Sequence, residues 1–475
     1  MNNLLSRTAA GIFFLTAASL ALPSFAQDNS TSDDSQGSLT TDVTQQDNVS
    51  ENQDTDEGQN IAGDETNADT EPTGSTEPKK TEAEQTAEAP AKVVEEPKAK
   101  KLSIASWGGA YMQAQNNAYF KDYQKDTGFQ ISTEKHSGQY DAIKSGLTSS
   151  QWDVVDLTYD MVDQACASGL LAPIDASSLE TAPNGSAAEE DFFKDGIHKC
   201  GVASMVWSLT IIYNKRAFRR GAPRTVSDFF NTSRYRGKRV LPKTAENTLE
   251  LALLADGAKP EEVYSLLETP DGIDRAFNKL NRIRKSIIWS SNPSEPFKLL
   301  ANGKAAFGLG YNGRAFSVIA EQKQALGIIW DGQLYNYNLW AIPANAENKE
   351  NSKKFINFAT SPKRLATQSS WFPYGPSRRS AVQMIRPHPE ADIDLRPFIP
   401  TIPKNFKLAL RTDKTWWKVR GAPMKARFNR WLLGEREPKT EPDTAQNLQT
   451  AFQSDEPVIV VPEQSDQEDE KNQQE

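Results

Sequence analysis

LSIASWGGAYMQ, residues 102–113, is where this 475-residue chain begins to read as a folded protein. Leu102, Ile104 and then Trp107 predict a strand. Gly108 and Gly109 break it, and the stretch YMQAQNNAYFKDYQKDTG predicts a helix with Met112, Tyr119 and Tyr123 on one face. Gly128 is placed to end that helix in a left-handed residue. Residues 129–135 alternate as a second strand. WDVVDLTYD (152–160) holds the near-continuous apolar run of a strand buried on both faces. Strand, helix, strand, then another helix and strand predict an α/β sheet with right-handed crossovers.

Outward from that stretch the composition changes. Residues 1–26 carry Arg7, a short apolar run from Ala9 to Leu22 and a small-x-small end at Ala26, the pattern of a cleaved export signal. Residues 27–100 are low-complexity, and so are residues 453–475 apart from a VIVV patch; neither buries enough apolar surface to offset ordering entropy, so both are expected to be disordered. The formal net charge of −9 conceals an asymmetry. About 19 acids and 5 bases lie in 27–100 and about 8 acids and 1 base in 453–475, which leaves the body near +11. The chain is a basic body with two acidic arms. Its two cysteines, Cys166 and Cys200, are expected to form one disulfide in an oxidising compartment.

Through the body the alternation continues. Strands are predicted at SMVWSLTIIYNK (204–215), KAAFGLGY (304–311), GIIWDG (327–332) and from LWAI onward. Helices are predicted at TLELALLADG (248–257), DGIDRAFNKLNRIRKS (271–286) and KENSKKFINFAT. The three histidines of the body stand apart from cysteine or carboxylate at metal-ligand spacing, and no HExxH, GxSxG or P-loop occurs. No metal, no cofactor and no nucleic-acid partner is expected. One motif points elsewhere: Gly308-Leu309-Gly310-Tyr311-Asn312-Gly313 fits GxGxxG after a strand, with Asp331 at the next strand end, the pattern of a dinucleotide-binding enzyme.

An aromatic residue beside glycines at the mouth of a strand suits a ligand cleft: Trp107 can lie flat on a ligand and Tyr111 opens a helix facing the same space. SWGGAY, WDVVDLTYDMVDQACASGLLAPID, VWSLTIIYNK, TLELALLADG, LGYNGRAFSVIAE, LGIIWDGQLY, AIPANAENKE and PYGPS, taken together and in this order, resemble the extracellular solute-binding proteins of bacterial ABC importers, and among them the spermidine/putrescine-binding group. The resemblance covers 101 to about 435. It implies a two-lobed, type II-like periplasmic-binding-protein fold: residues 101–206 with 341–372 in one lobe, 207–340 with 373–452 in the other, closing about crossing strands near 206–214 and 338–343. It implies a monomeric periplasmic receptor, not an enzyme, that hands a small molecule, polyamine-like by family, to permease subunits. The family's cleft aromatics fall on Trp107, Tyr159 and Tyr311, and a family carboxylate on Glu250. Asn338 and Asn247 stand where the polyamine binders have Asp. Tyr111, Asp156, Thr248 and Asn312 complete the expected ligand set. An exported enzyme built on the GLGYNG segment, or an envelope adaptor with a degenerate cleft, are the alternatives.

Overall fold

A computed structural model describes residues 100–435. The export signal, the acidic arm up to residue 99 and the tail 453–475 lie outside the described residues, as does the end of the expected second lobe beyond 435.

The opening stretch folds as its pattern dictates. Strand β1 (Lys101–Ser106) leads through helix Gly109–Gln115, a π-helical turn Asn116–Phe120 and helix Lys121–Thr127 into β2 (Gln130–Lys135). Gly128 ends the helix at φ 75°, its N–H donating to the Gln124 carbonyl at 2.9 Å. β1 lies parallel to both β2 and β3 (Val154–Thr158). The third strand is shorter than its apolar run suggests, because Tyr159 already opens helix Tyr159–Ala167.

The remaining strands are β4 (Ile197–His198), β5 (Gly201–Asn214), β6 (Arg239–Pro242), β7 (Ile287–Ser290), β8 (Phe307–Tyr311), β9 (Leu326–Ala341) and β10 (Leu410–Arg411). They join one sheet in the order β2-β1-β3-β9-β5-β8-β6-β7, with β4 on β5 and β10 on β9. The two long strands organise it. β5 and β9 pair antiparallel from Val202↔Trp340 to Asn214↔Leu326, with irregularities at Ala203/Met205 and Leu209/Ile211. One end of β9 pairs with β3, and the opposite end of β5 pairs with β8.

The two short strands expected at 327–332 and from 339 are thus one strand of 16 residues. Its middle hides in the sequence because it is polar. Buried Gln333 donates to the carbonyls of Pro400 and Asn405, and buried Asn336 to the carbonyl of Thr412 at 3.0 Å. Those partners offset the cost of sealing the amide N–H groups away from water, while Gln333 Oε1 is left without one.

An apolar core forms on each side of the crossing pair. The first gathers Leu102, Ile104, Val155, Leu157, Val202, Leu339, Trp340 and Phe355. The second gathers Leu249, Leu253, Phe277, Leu280, Leu309, Trp417 and Phe428. Helix Thr248–Ala255 is buried at all eight positions, so it has no solvent face to show in its pattern. The disulfide forms between Cys166 and Cys200, whose Cα atoms stand 5.8 Å apart. It pins the loop after helix Tyr159–Ala167 against the first core, where Ala172 and Ile174 also donate N–H bonds to the carbonyls of Ile342 and Lys199.

Candidate ligand-binding cleft

β1 and β3 end side by side, and in open α/β sheets ligands bind outside such carboxyl ends. Trp107 follows β1 directly. Gly108 and Gly109 turn away from it at φ 75° and 60°, a region that side chains other than glycine's rarely enter. The Trp107 ring meets the edge of His136 at 4.6 Å, and a Cβ on Gly138 would come within 2.9 Å of it. Burial holds the His136 imidazole below its usual pKa, so this neighbour is neutral near pH 7; its Nε2 lies 2.8 Å from the Asp156 carbonyl.

Around Trp107 stands an aromatic cluster drawn from distant parts of the chain: Tyr111, Met205, Tyr374, Trp207 and Phe372. Tyr374 meets Phe372 at 4.6 Å and Tyr111 at 5.8 Å; Trp207 meets Tyr311 at 5.6 Å. Trp107, Tyr111 and Tyr311 are therefore brought to one place. Tyr374 is held there because Gly375 exchanges backbone hydrogen bonds with Val206 of β5, and a Cβ at Gly375 would collide with Thr401.

Beneath the cluster Asp156 is fully buried. Its carboxylate accepts from Tyr111 Oη at 2.7 Å, Gln115 Nε2 at 2.8 Å, Ser204 Oγ at 3.4 Å, and also from Asn338. Desolvation pushes the Asp156 carboxyl up to about 7 against those hydrogen bonds. Asn312 is likewise engaged by protein alone, accepting from the Ser208 N–H and donating to the carbonyls of Pro373 and Phe398. Asp156, Asn338 and Asn312, all expected in the ligand set, thus each have protein hydrogen-bond partners.

Three expected residues lie apart from the aromatic cluster. Tyr159 packs against His198 at 5.4 Å and under the Arg411 guanidinium at 4.6 Å, while Arg411 pairs with Asp195. Thr248 is buried with its hydroxyl toward the Pro242 carbonyl. Glu250 is turned into the second core, where Oε1 accepts from Trp417 Nε1 at 2.5 Å and Tyr264 Oη at 3.3 Å.

The charged groups of the cleft went unread in the sequence. Asp160 lies in the first turn of helix Tyr159–Ala167 and Lys414 begins helix Lys414–Arg420; Lys414 Nζ stands 3.7 Å from Asp160 Oδ1. Partial desolvation acts to lower the half-exposed Lys414 ammonium, but Asp160 and Tyr311 outweigh it, and its pKa is raised. Arg314, on the helix after β8, acts electrostatically on both Tyr311 and Tyr374. Three buried polar atoms at these strand ends have no hydrogen-bond partner: Trp107 Nε1, Thr158 Oγ1 and Asp160 Oδ1. No local signal marks Lys414, since only the return of the chain through β10 brings it here. Tyr374 sits within the PYGPS motif.

The GxGxxG segment has a packing explanation. Gly308 and Gly310 lie within β8, where a Cβ would meet Pro296 at 3.0 Å and Phe297 at 2.5 Å; on Gly313 it would meet Tyr374 at 3.2 Å. Asp331 caps a helix, accepting from the Val226 N–H at 2.8 Å. The glycines admit neighbouring side chains, and the acid is engaged.

Comparison with known proteins identifies the family. Residues 118–396 match the family described as bacterial extracellular solute-binding protein. The gamma-aminobutyric acid-binding protein of Pseudomonas aeruginosa is 34% identical over 334 residues, 70% of this chain and 90% of its own length. The spermidine/putrescine-binding periplasmic protein of Escherichia coli is 26% identical over 293 residues, 59% of this chain and 80% of its own. The crystal structure of an ABC transporter substrate-binding protein from Bradyrhizobium japonicum superposes with a TM-score of 0.58 at 26% identity, covering 69% of this chain and 98% of that one. This chain belongs to the bacterial extracellular solute-binding proteins, the substrate-binding receptors of ABC importers.

Proposed function

We propose that the protein is a periplasmic, monomeric receptor for a small zwitterionic amino acid whose ammonium and carboxylate are separated by a short apolar chain, and that it delivers this ligand to an ABC permease. One observation carries the reading: the cleft pairs an acid, Asp160, with a base, Lys414, at 3.7 Å. A ligand ammonium takes the place of Lys414 on Asp160, while its carboxylate takes Lys414. Thr158 Oγ1 and Trp107 Nε1 supply further polar contacts, and Trp107, Tyr111 and Tyr311 enclose the methylene chain. The gamma-aminobutyric acid-binding relative supports this class of ligand.

A diamine or triamine requires several acids, since each buried ammonium needs its own partner. The positions that would supply them are Asn338, which bonds to Asp156, and Asn247, which starts helix Thr248–Ala255 at φ 67°. Asp156 and Glu250 already serve protein donors. The polyamine reading is therefore the second one.

In this reading Trp107, Tyr111, Tyr159 and Tyr311 form walls, Asp156, Asn312 and Asn338 position them, and Thr248 and Glu250 belong to the second core. The two cores are the lobes, with the β5–β9 pair as the hinge between them.

Isothermal titration of the exported protein with γ-aminobutyric acid, putrescine and spermidine tests this. The zwitterion is expected to bind most tightly, and Asp160→Asn to weaken it by roughly thirtyfold or more, the loss of a charge-assisted partner of about 2 kcal/mol. Tighter binding of putrescine or spermidine would overturn the ligand class.

A further inference from the structure

The outer face of the second half carries a dense set of bases. Lys215, Arg216, Arg219, Arg220 and Arg224 fall between β5 and helix Val226–Phe230. Arg234, Arg236 and Lys238 precede β6, and Lys404 and Lys407 lie on the segment before β10. All ten are exposed, and among the described residues none of them forms an ion pair. The neighbouring acids are engaged: Asp228 accepts from the N–H groups of Arg224 and Thr225, Asp331 accepts from the Val226 N–H, and Asp394 pairs with Arg396. Bases at this density that form no ion pair repel one another, and an anionic partner relieves that repulsion.

This face also has a shaped depression. A groove of about 750 Å³ is bordered by Arg224, Lys404 and Lys407, with Tyr213, Ile328 and Trp330 among its apolar lining. Leu408, at its rim, is 45% exposed, one of three large apolar side chains so exposed among the described residues. The groove is separate from the cleft: β5 runs from Trp207 in the aromatic cluster to Tyr213 here, about 20 Å along the strand.

We propose that residues 453–475 of the same chain dock in this groove, with Val458, Ile459, Val460 and Val461 on its apolar lining. Asp455, Glu456, Glu463 and Asp466 on either side would then face Arg224, Lys404, Lys407 and the arginine-rich loop. Charge and pattern both match, because the segment has about 8 acids to 1 base around a single apolar run. The length suffices. From Glu435, the last described residue, to Val458 are 23 residues, which span up to roughly 75 Å when extended. A body the size of residues 100–435 has a radius of gyration of about 20 Å and a diameter of roughly 50 Å, which the extended segment exceeds. A tethered segment also meets its site at a high effective concentration, so weak individual contacts suffice.

Zero-length carbodiimide cross-linking of the full exported chain, read by mass spectrometry, tests the proposal. In low salt, intramolecular cross-links from the carboxylates of 453–475 are expected to concentrate on Lys404 and Lys407. They should fall at least fivefold in 0.5 M salt and in the Ile459→Ser/Val460→Ser chain, since screening removes the electrostatic part and the substitutions the apolar part. Cross-links spread evenly over the lysines of the body, or none from this segment, would overturn it. The same result follows if phosphatidylglycerol vesicles protect Lys404 and Lys407 from acetylation equally in the wild-type and double-substituted chains, since the basic face would then be a membrane-docking surface.

Discussion

Asp156 and Glu250 are buried carboxylates, one in each half of the molecule, and burial pushes both up to about 7. Their surroundings differ. Asp156 accepts from donors on β1's following helix, on β5 and on β9, and so ties together the elements that carry the cleft aromatics. Glu250 takes two donors on one oxygen, from Trp417 and Tyr264, while its Oε2 has none. The first carboxylate is a completed junction. The second is a half-filled polar site inside an otherwise apolar core. Depth of burial is the same in both, so depth alone does not distinguish a group that organises a site from one that is merely enclosed; the number and origin of its donors does.

Removing the junction is the harshest way to break the comparison. Asp156→Ala leaves Tyr111, Gln115 and Asn338 without their buried acceptor, and urea unfolding should show a loss of roughly 2–4 kcal/mol, with ligand affinity falling as the aromatic cluster loosens. A titration of stability sharpens it. Each carboxyl has a folded pKa raised above its unfolded value near 4, so the folded state holds more protons between about pH 4 and 7. Stability from these groups is therefore full below pH 4 and is lost as pH rises toward 7, at up to about 1.4 kcal/mol per pH unit for each. Asp156→Asn should remove one share of that slope, measured by denaturation across the pH range, and a slope unchanged from wild type would contradict it. The smallest effect belongs to Glu250→Gln. The amide oxygen keeps an acceptor for Trp417, so about 1 kcal/mol of stability should change, and calorimetric affinity for the zwitterion less than twofold.

The opening β-α-β unit was legible because each of its signals is local: the alternation in β1, the helical stripe of Tyr119 and Tyr123, and the left-handed stop at Gly128. The middle of β9 was not, because its amides are tolerable inside the sheet only through partners at 400, 405 and 412 that pattern cannot foresee. The same division runs through the cleft. Trp107 and Tyr311 stand at strand ends and announce themselves. Asp160 and Lys414 are ordinary surface charges in the sequence, and they pair only where two segments some 250 residues apart come within one ion-pair distance. Asp156, Asn312 and Asn338 were found as polar residues in the right neighbourhood, but which way a buried amide or carboxylate is satisfied depends on the packed structure.

The place of β9 in the sheet has a consequence for how the chain reaches its native state. β9 lies between β3 and β5, yet it is made from residues 326–341, long after both. A chain emerging from its N-terminus must hold β3 and β5 as open edges until that late strand arrives to join them. Contacts of such long sequence separation slow folding, because loop closure precedes the stabilising contacts. With this topology the sheet cannot be joined across its middle until residues 326–341 have been made, so the two halves meet late however early each begins to form.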